Sequence, residues 1–518
     1  MRIGTMETKK TVCYEDFGAY GDGKHDDFDA IFKAHEYANA NDLDVVCKEN
    51  AVYYIGKDAL NEEKPKPAAK IKTNVDFKNA KFIIDDSEIT VDMPARNGSI
   101  FHIDRDYEPV VYTIENDTPN GAIKRINEMG GFKADITKLD LGIGYAAMLM
   151  VVNENKRVYI RYGANAGSGN AQTELVNVDA DGNIDPTTAF LLDYDMVTKI
   201  TVIRADRPLT VKGGVFVTIA NRVPEDYKYY SRGMFITRAS LTIDGLTYEI
   251  EGEGEHGDPY GGFLTIHQCS NVVVKNCKLQ AHKYYMCVGS GGGAPVGMGT
   301  YALSIGSSNN ILMKNCIQTN FFGDDGKTYR EGIWGIMGSS YCKNLVYEDS
   351  ILSRFDAHAG VYNAKIINST VACFRIIGGG DIVVENSHIY GNLLFGIRED
   401  YGSTWKGNAI IKNVVLHNTR PSHIIYAYWT NHDFGYKTYL PENITIDNLS
   451  IETGDTISLF TEKFVEQSNH ILDDVVDGKP NVNKTVPPKK IVIRNNKTGL
   501  KFIKPDTAFF KNTEIIEE

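Results

Sequence analysis

No stretch of this sequence holds the roughly 18 consecutive apolar residues that a membrane-spanning helix needs, so the chain reads as soluble with no membrane partner. A basic excess is missing too. With 55 Lys and Arg against 67 Asp and Glu, and a formal charge of −12, little is available to displace counterions from a phosphate backbone, which argues against nucleic acid as a general partner. An anionic sugar polymer would need a local cationic cleft or a metal ion. The opening MRIGTMETKK carries no apolar leader-like run, which leaves location open. The protein is secreted or at a cell surface if a leader was removed, and otherwise cytoplasmic or virion-borne. Cysteine is sparse, with eight in 518 residues. Cys277 and Cys316 each follow an Asn at the same point of a repeat, so the thiols read as reduced core residues.

What is present is a repeat. From Leu241 on, a short apolar strand ends in Asn or Asp and is in most coils followed by a small residue: Asp244, Asn276, Asn315, Asp349, Asn368, Asn386, Asn413 and Asp447, at spacings of 32, 39, 34, 19, 18, 27 and 34 residues. Irregular coil length around a regular strand predicts a parallel β-helix, an all-β solenoid in which each coil has only to stack on its neighbours. An inward Asn at one corner of successive coils would link them by amide hydrogen bonds about 4.8 Å apart. A chain of 518 residues exceeds what one compact core usually fills, and an elongated stack resolves that.

The N-terminal region reads as a cap. In EDFGAYGDGKHDD (15–27), two Gly-Asp type turns lead to Asp26 as helix cap, after which Phe28, Ile31, Phe32 and His35 fall on one helical face. Such a helix would close the open end of a sheet stack. DFGAYGDGKHDD with Ala30, Ile31, Ala34 and Ala38 resembles the opening motif of the pectate lyase superfamily, shared with polygalacturonase-like hydrolases and many phage tailspikes. The resemblance covers about the first 55 residues and implies a right-handed β-helix. It does not choose among lyase, hydrolase, epimerase or binding spike. A homotrimer, as in many spikes, is one assembly it allows.

The expected organisation is a tail (1–10), the cap and first coils (11–105), an inserted antiparallel β domain (106–212), the main helix with its groove (213–457), and a terminal rung and cap (458–518). The insertion is read from AAMLMVV, VYIRYG and KITVIRA joined by turns such as Asp181-Gly182-Asn183. It would serve as scaffold, glycan-binding module or oligomer contact. The run GSGGGAPVGMG (289–299) lacks the lysine of a phosphate-binding loop and reads as a groove wall or tight corner.

Candidate chemistry centres on DSILSRFDAH (349–358), where Arg354, Asp356 and His358 fall within five residues. Counting from the anchors brings Tyr285, Asp324, Asp325, His358 and His423 to similar points of successive coils. Two further clusters, Arg398, Asp400 and Tyr401 in REDYGSTW and His432, Asp433 and Tyr436 in NHDFGY, would line the same groove. Trp405 and Trp429 beside them are sugar-stacking or core residues, and Arg330 is a further binding candidate.

Two reactions fit. β-Elimination on a uronate needs a base, His358 or Tyr285 with Asp356 orienting the imidazole, and cations such as Arg354 and Arg398 to hold the enolate. Hydrolysis needs two carboxylates, roughly 5 Å apart for retention or 6.5 to 9.5 Å for inversion, drawn from Asp324, Asp325, Asp356 and Asp400. Gly323-Asp324-Asp325 has a faint likeness to the paired aspartates of polygalacturonases. No Gly-His-Gly or Arg-Ile-Lys element follows, so that family's residue roles are not carried over. Calcium is an option, through Asp324 and Asp325 with Glu331 or through the acidic run EIEGEGEHGD (249–258). The favoured expectation is an endo-acting lyase on an acidic polysaccharide, with a hydrolase or a glycan-binding spike as alternatives.

Overall fold

The structure, a computed structural model, describes residues 11–56, 67–90, 92–163, 166–167, 169–223, 228–288, 295–330, 333 and 337–518. The N-terminal tail, residues 289–294 of the glycine-rich run and Glu331 lie outside them. Thirty-one strands join into one wound sheet, nearly all by parallel pairing, which makes the body a parallel β-helix with three faces.

Face A carries the repeat seen in the sequence. Leu241, Val272, Ile311, Leu345, Ala364, Ile382, Ala409, Ile444 and Ile491 pair in register up the stack, and all are buried. Each coil therefore adds one apolar side chain to a continuous core. Face B follows the anchor, and face C includes the strands Leu264–His267, Leu303–Gly306, Leu393–Ile397 and Ser422–Tyr426.

The anchor asparagines differ from expectation in direction. Asn276, Asn315, Asn368, Asn386 and Asn413 sit in the left-handed region at φ 49–55° and face outward at the A–B corner. Their amides still link the coils: Asn315 donates to Asn276 (2.8 Å), Asn386 to Asn368 (3.2 Å) and Asn413 to Asn386 (2.7 Å). Asn tolerates αL where most residues do not, so the corner selects it for backbone as well as amide. The next residue turns inward, and there Ser350, Ser369 and Ser387 form their own ladder, each hydroxyl accepting the backbone N–H of the coil before (3.0–3.1 Å). In the coil of Asp447 the left-handed residue is Asn448 (φ 57°), which continues the ladder to Asn413. A second ladder, Asn271–Asn310–Asn344–Asn363, lines the C–A corner. Cys277 and Cys316 are buried, and the seven cysteines whose side chains are described form no disulfide.

The capping helix spans Phe28–Asn41 and buries Phe28, Ile31, Ala34, His35 and Ala38. Its N-cap is Asp27, one residue beyond the expected Asp26. Asp26 instead receives the Phe28 N–H (2.9 Å), while Asp27 turns back to the Tyr20 N–H (2.6 Å).

The insertion is a four-stranded antiparallel sheet in the order Asn170–Val178, Ala147–Val158, Lys199–Arg204, Val110–Thr113, with its own core around Leu149, Val151, Val176 and Ile123. Its end lies before Lys212. Leu209–Lys212 pairs with Leu241–Asp244 and buries Val211, so it is already a helix strand. Lys343 on the helix bonds Glu174 of the insertion at 2.7 Å, both fully buried, and also donates to the carbonyls of Thr188 and Ala189.

Candidate functional site

On face C, Phe355 points inward and packs edge-on against Phe374 (5.2 Å), which in turn meets the tilted ring of Phe395 (6.0 Å). Strand alternation then turns Arg354 and Asp356 outward together. A register shift opposite His358, between Ser339 and Ser340 of the adjoining strand, releases its imidazole to the surface.

Asp356 is completely buried and is the hub. Its Oδ2 accepts from Arg354 Nε and Nη2 (3.1 and 3.0 Å), its Oδ1 accepts from Arg398 Nη1 (3.0 Å), and His358 Nε2 lies 3.5 Å from Oδ2. Arg398 also forms a two-pronged pair with Asp400 (3.0 and 2.7 Å). Burial alone would raise the Asp356 carboxyl, but Arg354, the His358 ring and Arg398 outweigh it and hold the group well below the usual carboxylate range. Asp356 is thus a fixed anion at any working pH.

A third arginine comes from the insertion. Arg161 Nη2 meets Asp400 Oδ2 at 2.9 Å, and the neighbouring backbone is tied down by Tyr162 N–H to the Asp400 carbonyl (2.8 Å) and Ile160 N–H to the Phe434 carbonyl (3.1 Å). Gly435 permits this seam: its φ is +80°, and a Cβ there would sit 2.2 Å from the Arg157 carbonyl oxygen. Three arginines therefore face two aspartates, leaving one net positive charge beside an imidazole 43% exposed. Nothing in the local sequence marked Arg161, which lies 193 positions before Arg354.

No family model matches the chain, and no curated protein matches it in sequence. Solved structures do. The tailspike protein gp49 of Pseudomonas phage LKA1 aligns over 94% of this chain and 81% of its own, with a TM-score of 0.50 at 13% identity. The fold is a right-handed parallel β-helix. Others similar in structure are the gp54 tailspike of Acinetobacter baumannii bacteriophage AP22, in complex with A. baumannii capsular saccharide (98% and 79% covered, TM-score 0.47, 10% identity), and a hyperthermoactive exopolygalacturonase from Thermotoga maritima (94% and 86%, 0.30, 10%). At 13% identity the likeness to the gp49 tailspike bears on the fold alone and leaves the chemistry to the residues.

Of the other candidates, Tyr401 and His432 stay with this right-handed β-helix's arginine cluster. The Tyr401 ring lies 5.8 Å from the Arg161 guanidinium and 5.9 Å from that of Arg398, while His432 Nε2 donates to the Ile160 carbonyl (3.2 Å). The two tryptophans are core. Trp405 is fully buried with its N–H on the Gly380 carbonyl, and Trp429 is 6% exposed with its N–H on Asn483, so neither offers a ring face to a sugar.

Tyr285 is buried against Gly257 beneath Lys283, in a separate loop cluster. His423 lies on Ser422–Tyr426 beside Leu393 and Ser458, where burial lowers its pKa. Asp324 pairs with Arg330 (2.9 Å), and Asp325 caps its own turn through Lys327 N–H and Thr328 N–H and Oγ1. Those bonds hold the Asp325 carboxyl down at about 2. The acidic run is engaged too, with Glu253 accepting from His282 and the Lys283 N–H. Among the described residues, no group of three or more His, Cys, Asp or Glu side chains converges on a metal-sized site.

Proposed function

We propose that this protein is a polysaccharide lyase that cleaves a uronate-containing glycan by β-elimination at the Arg354–Asp356–His358–Arg398 cluster. The observation that carries the reading is a part-exposed imidazole backed by a permanently ionised, buried carboxylate and set among three arginines. A uronate carboxylate would meet the guanidinium N–H groups of Arg398 and Arg161 that Asp356 and Asp400 do not engage, in the planar geometry arginine prefers for such anions. The N–H of His358 Nε2 faces Asp356, so Nδ1 carries the lone pair. Nδ1 takes the proton from the carbon next to the carboxylate. The C–H electrons form the new carbon–carbon double bond, the glycosidic C–O bond breaks, and the departing oxygen takes a proton from water or from Tyr401, which burial keeps protonated.

Elimination is favoured over hydrolysis by the state of the carboxylates. A hydrolytic acid must hold a proton near neutral pH, which requires a raised pKa. Asp356 is held ionised, and Asp400 is clamped by Arg398 and Arg161. The test incubates the protein with polygalacturonate, alginate and hyaluronan while following the ultraviolet absorbance of unsaturated uronate. The expected result is a rise that His358→Ala reduces about 10²- to 10⁴-fold, the usual worth of a general base. New reducing ends without that absorbance would replace the reading by hydrolysis. Binding without cleavage would make the protein a glycan receptor.

A further inference from the structure

The insertion and the helix enclose a cleft of about 530 Å³ that is distinct from the arginine cluster. Lys156 and Asp193 come from the insertion, and Gly379, Lys406, Lys437 and Tyr439 from the helix. Tyr159 and Tyr436, whose ring centroids are 5.1 Å apart, wall the cleft on one side, and Tyr159 contacts Tyr401 at 6.1 Å. The two sites are therefore separated by a partition of tyrosines.

Part of the cleft lining is bare main chain by necessity. Gly380 has φ +83° and a Cβ there would lie 2.2 Å from Asn363 Oδ1; Gly407 has φ +143° and its Cβ would lie 2.1 Å from the Gly380 carbonyl oxygen. Above it, the half-buried Tyr439 ring is flanked by Lys406 Nζ and Lys437 Nζ, each 5.8 Å from the ring centroid. The charges are unevenly satisfied. The acids at the cleft all have partners: Asp193 pairs with Lys133 (2.9 Å), Glu442 with Lys489 (3.2 Å), and Asp381 accepts from Asn408 (2.9 Å). Lys156, Lys406 and Lys437 form no ion pair among the described residues. An aromatic face between two ammonium groups that form no ion pair, Lys406 acting on Asp193 only from a distance, matches a pyranose ring bearing a carboxylate: the ring stacks and the acid group meets the cations.

We propose that this cleft is a second saccharide site, holding a uronate unit of the acidic glycan apart from the unit being cleaved. The inference rests on the acidic-glycan reading above and gives the insertion a function in retaining the polymer. A flexible chain held at two points dissociates more slowly than one held at either, provided that its length spans both.

The test measures affinity of the full chain for long polygalacturonate, alginate and hyaluronan, with neutral dextran as control, in a His358→Ala background so that nothing is cleaved. Lys406→Glu with Lys437→Glu, and separately Tyr439→Ala, should each weaken binding of the preferred polymer on the order of tenfold or more. A second readout needs no cleft variant: bound polymer should shield Lys406 and Lys437 from acetylation while leaving the exposed Lys33 of the capping helix reactive. Unchanged affinity in the cleft variants with no shielding overturns the proposal, as does equal binding of dextran or binding of no uronate polymer at all. Shielding and variant effects in a parent protein that forms no unsaturated product would retain the cleft and remove the lyase reading. Elimination with an unshielded cleft would do the reverse.

Discussion

Asp356 and His358 are two residues apart, yet they should fail differently when changed. Asp356 is buried beneath two guanidinium groups, so Asp356→Asn leaves Arg354 and part of Arg398 with no counter-charge in a poorly solvated place. A loss of about 3 kcal/mol in denaturant unfolding is expected. Its pH dependence has a definite sign. Because the folded carboxyl lies below its unfolded value of about 3.9, its contribution is complete above that pH and is lost as pH falls toward the folded value. Stability profiles should therefore show a shallower acid limb for Asp356→Asn than for the parent. His358, 43% exposed, should cost within about 0.5 kcal/mol when changed to Ala, so a large loss of elimination in that variant would report chemistry and not folding. The sequence made Arg354, Asp356 and His358 legible because they fall within five residues; alternation around the inward Phe355 turns Arg354 and Asp356 to one face, and the register shift opposite His358 releases the third. Trp405, open in the sequence between sugar-stacking and core, is core: it begins the strand Trp405–His417 ahead of the anchor Asn413 and is fully buried. Counting residues from the anchors placed Tyr285 in the groove, although loop shape and not loop length sets where that side chain goes.

At the scale of elements, the decisive contact is between the insertion strand Asn170–Val178 and the helix strand Met337–Glu348. Glu174 and Lys343 are both buried. Burial raises the Glu174 carboxyl despite the attraction of Lys343, and burial lowers the Lys343 amine despite Glu174, so desolvation outweighs attraction for each. The pair accordingly specifies where the insertion docks more than it stabilises the docking. Lys343→Met alone should cost about 3 to 5 kcal/mol by stranding Glu174, whereas Lys343→Met with Glu174→Leu should recover most of that loss; a double-mutant cycle by denaturant unfolding reads the difference. This contact was invisible in the sequence because its partners are 169 residues apart and neither stands in a motif. The solenoid strands were legible for the opposite reason: each repeats an apolar pattern locally and needs only its neighbour. The second ladder, Asn271 to Asn363, escaped because each of its Asn residues precedes an apolar run, whereas the repeat was read from an Asn or Asp that ends one, although its left-handed corners and amide bonds match those of the first.

The molecule as a whole carries a charge of −12, while the proposed glycan contacts are cationic. These opposing terms act over different ranges. Repulsion between the protein's overall field and an anionic polymer is long-ranged and is screened once the Debye length shrinks to about 10 Å near 0.1 M salt. Contacts of a bound carboxylate with Arg354 and Arg398, each largely buried, are screened much less, and those with the exposed Lys406 and Lys437 somewhat more. Affinity for an acidic polysaccharide should therefore rise as salt increases from about 0.01 M, pass through a maximum near 0.1 M, and fall beyond it as the lysine contacts weaken. A charge-neutral glycan of the same length should show no such maximum. A monotonic fall from the lowest salt would instead mean that the local cations dominate at all distances and that the acidic surface lies too far from the bound chain to oppose it. Reversing Lys406 and Lys437 to Glu separates these cases. The falling limb should flatten in that variant, while the rising limb, which belongs to the rest of the surface, should remain.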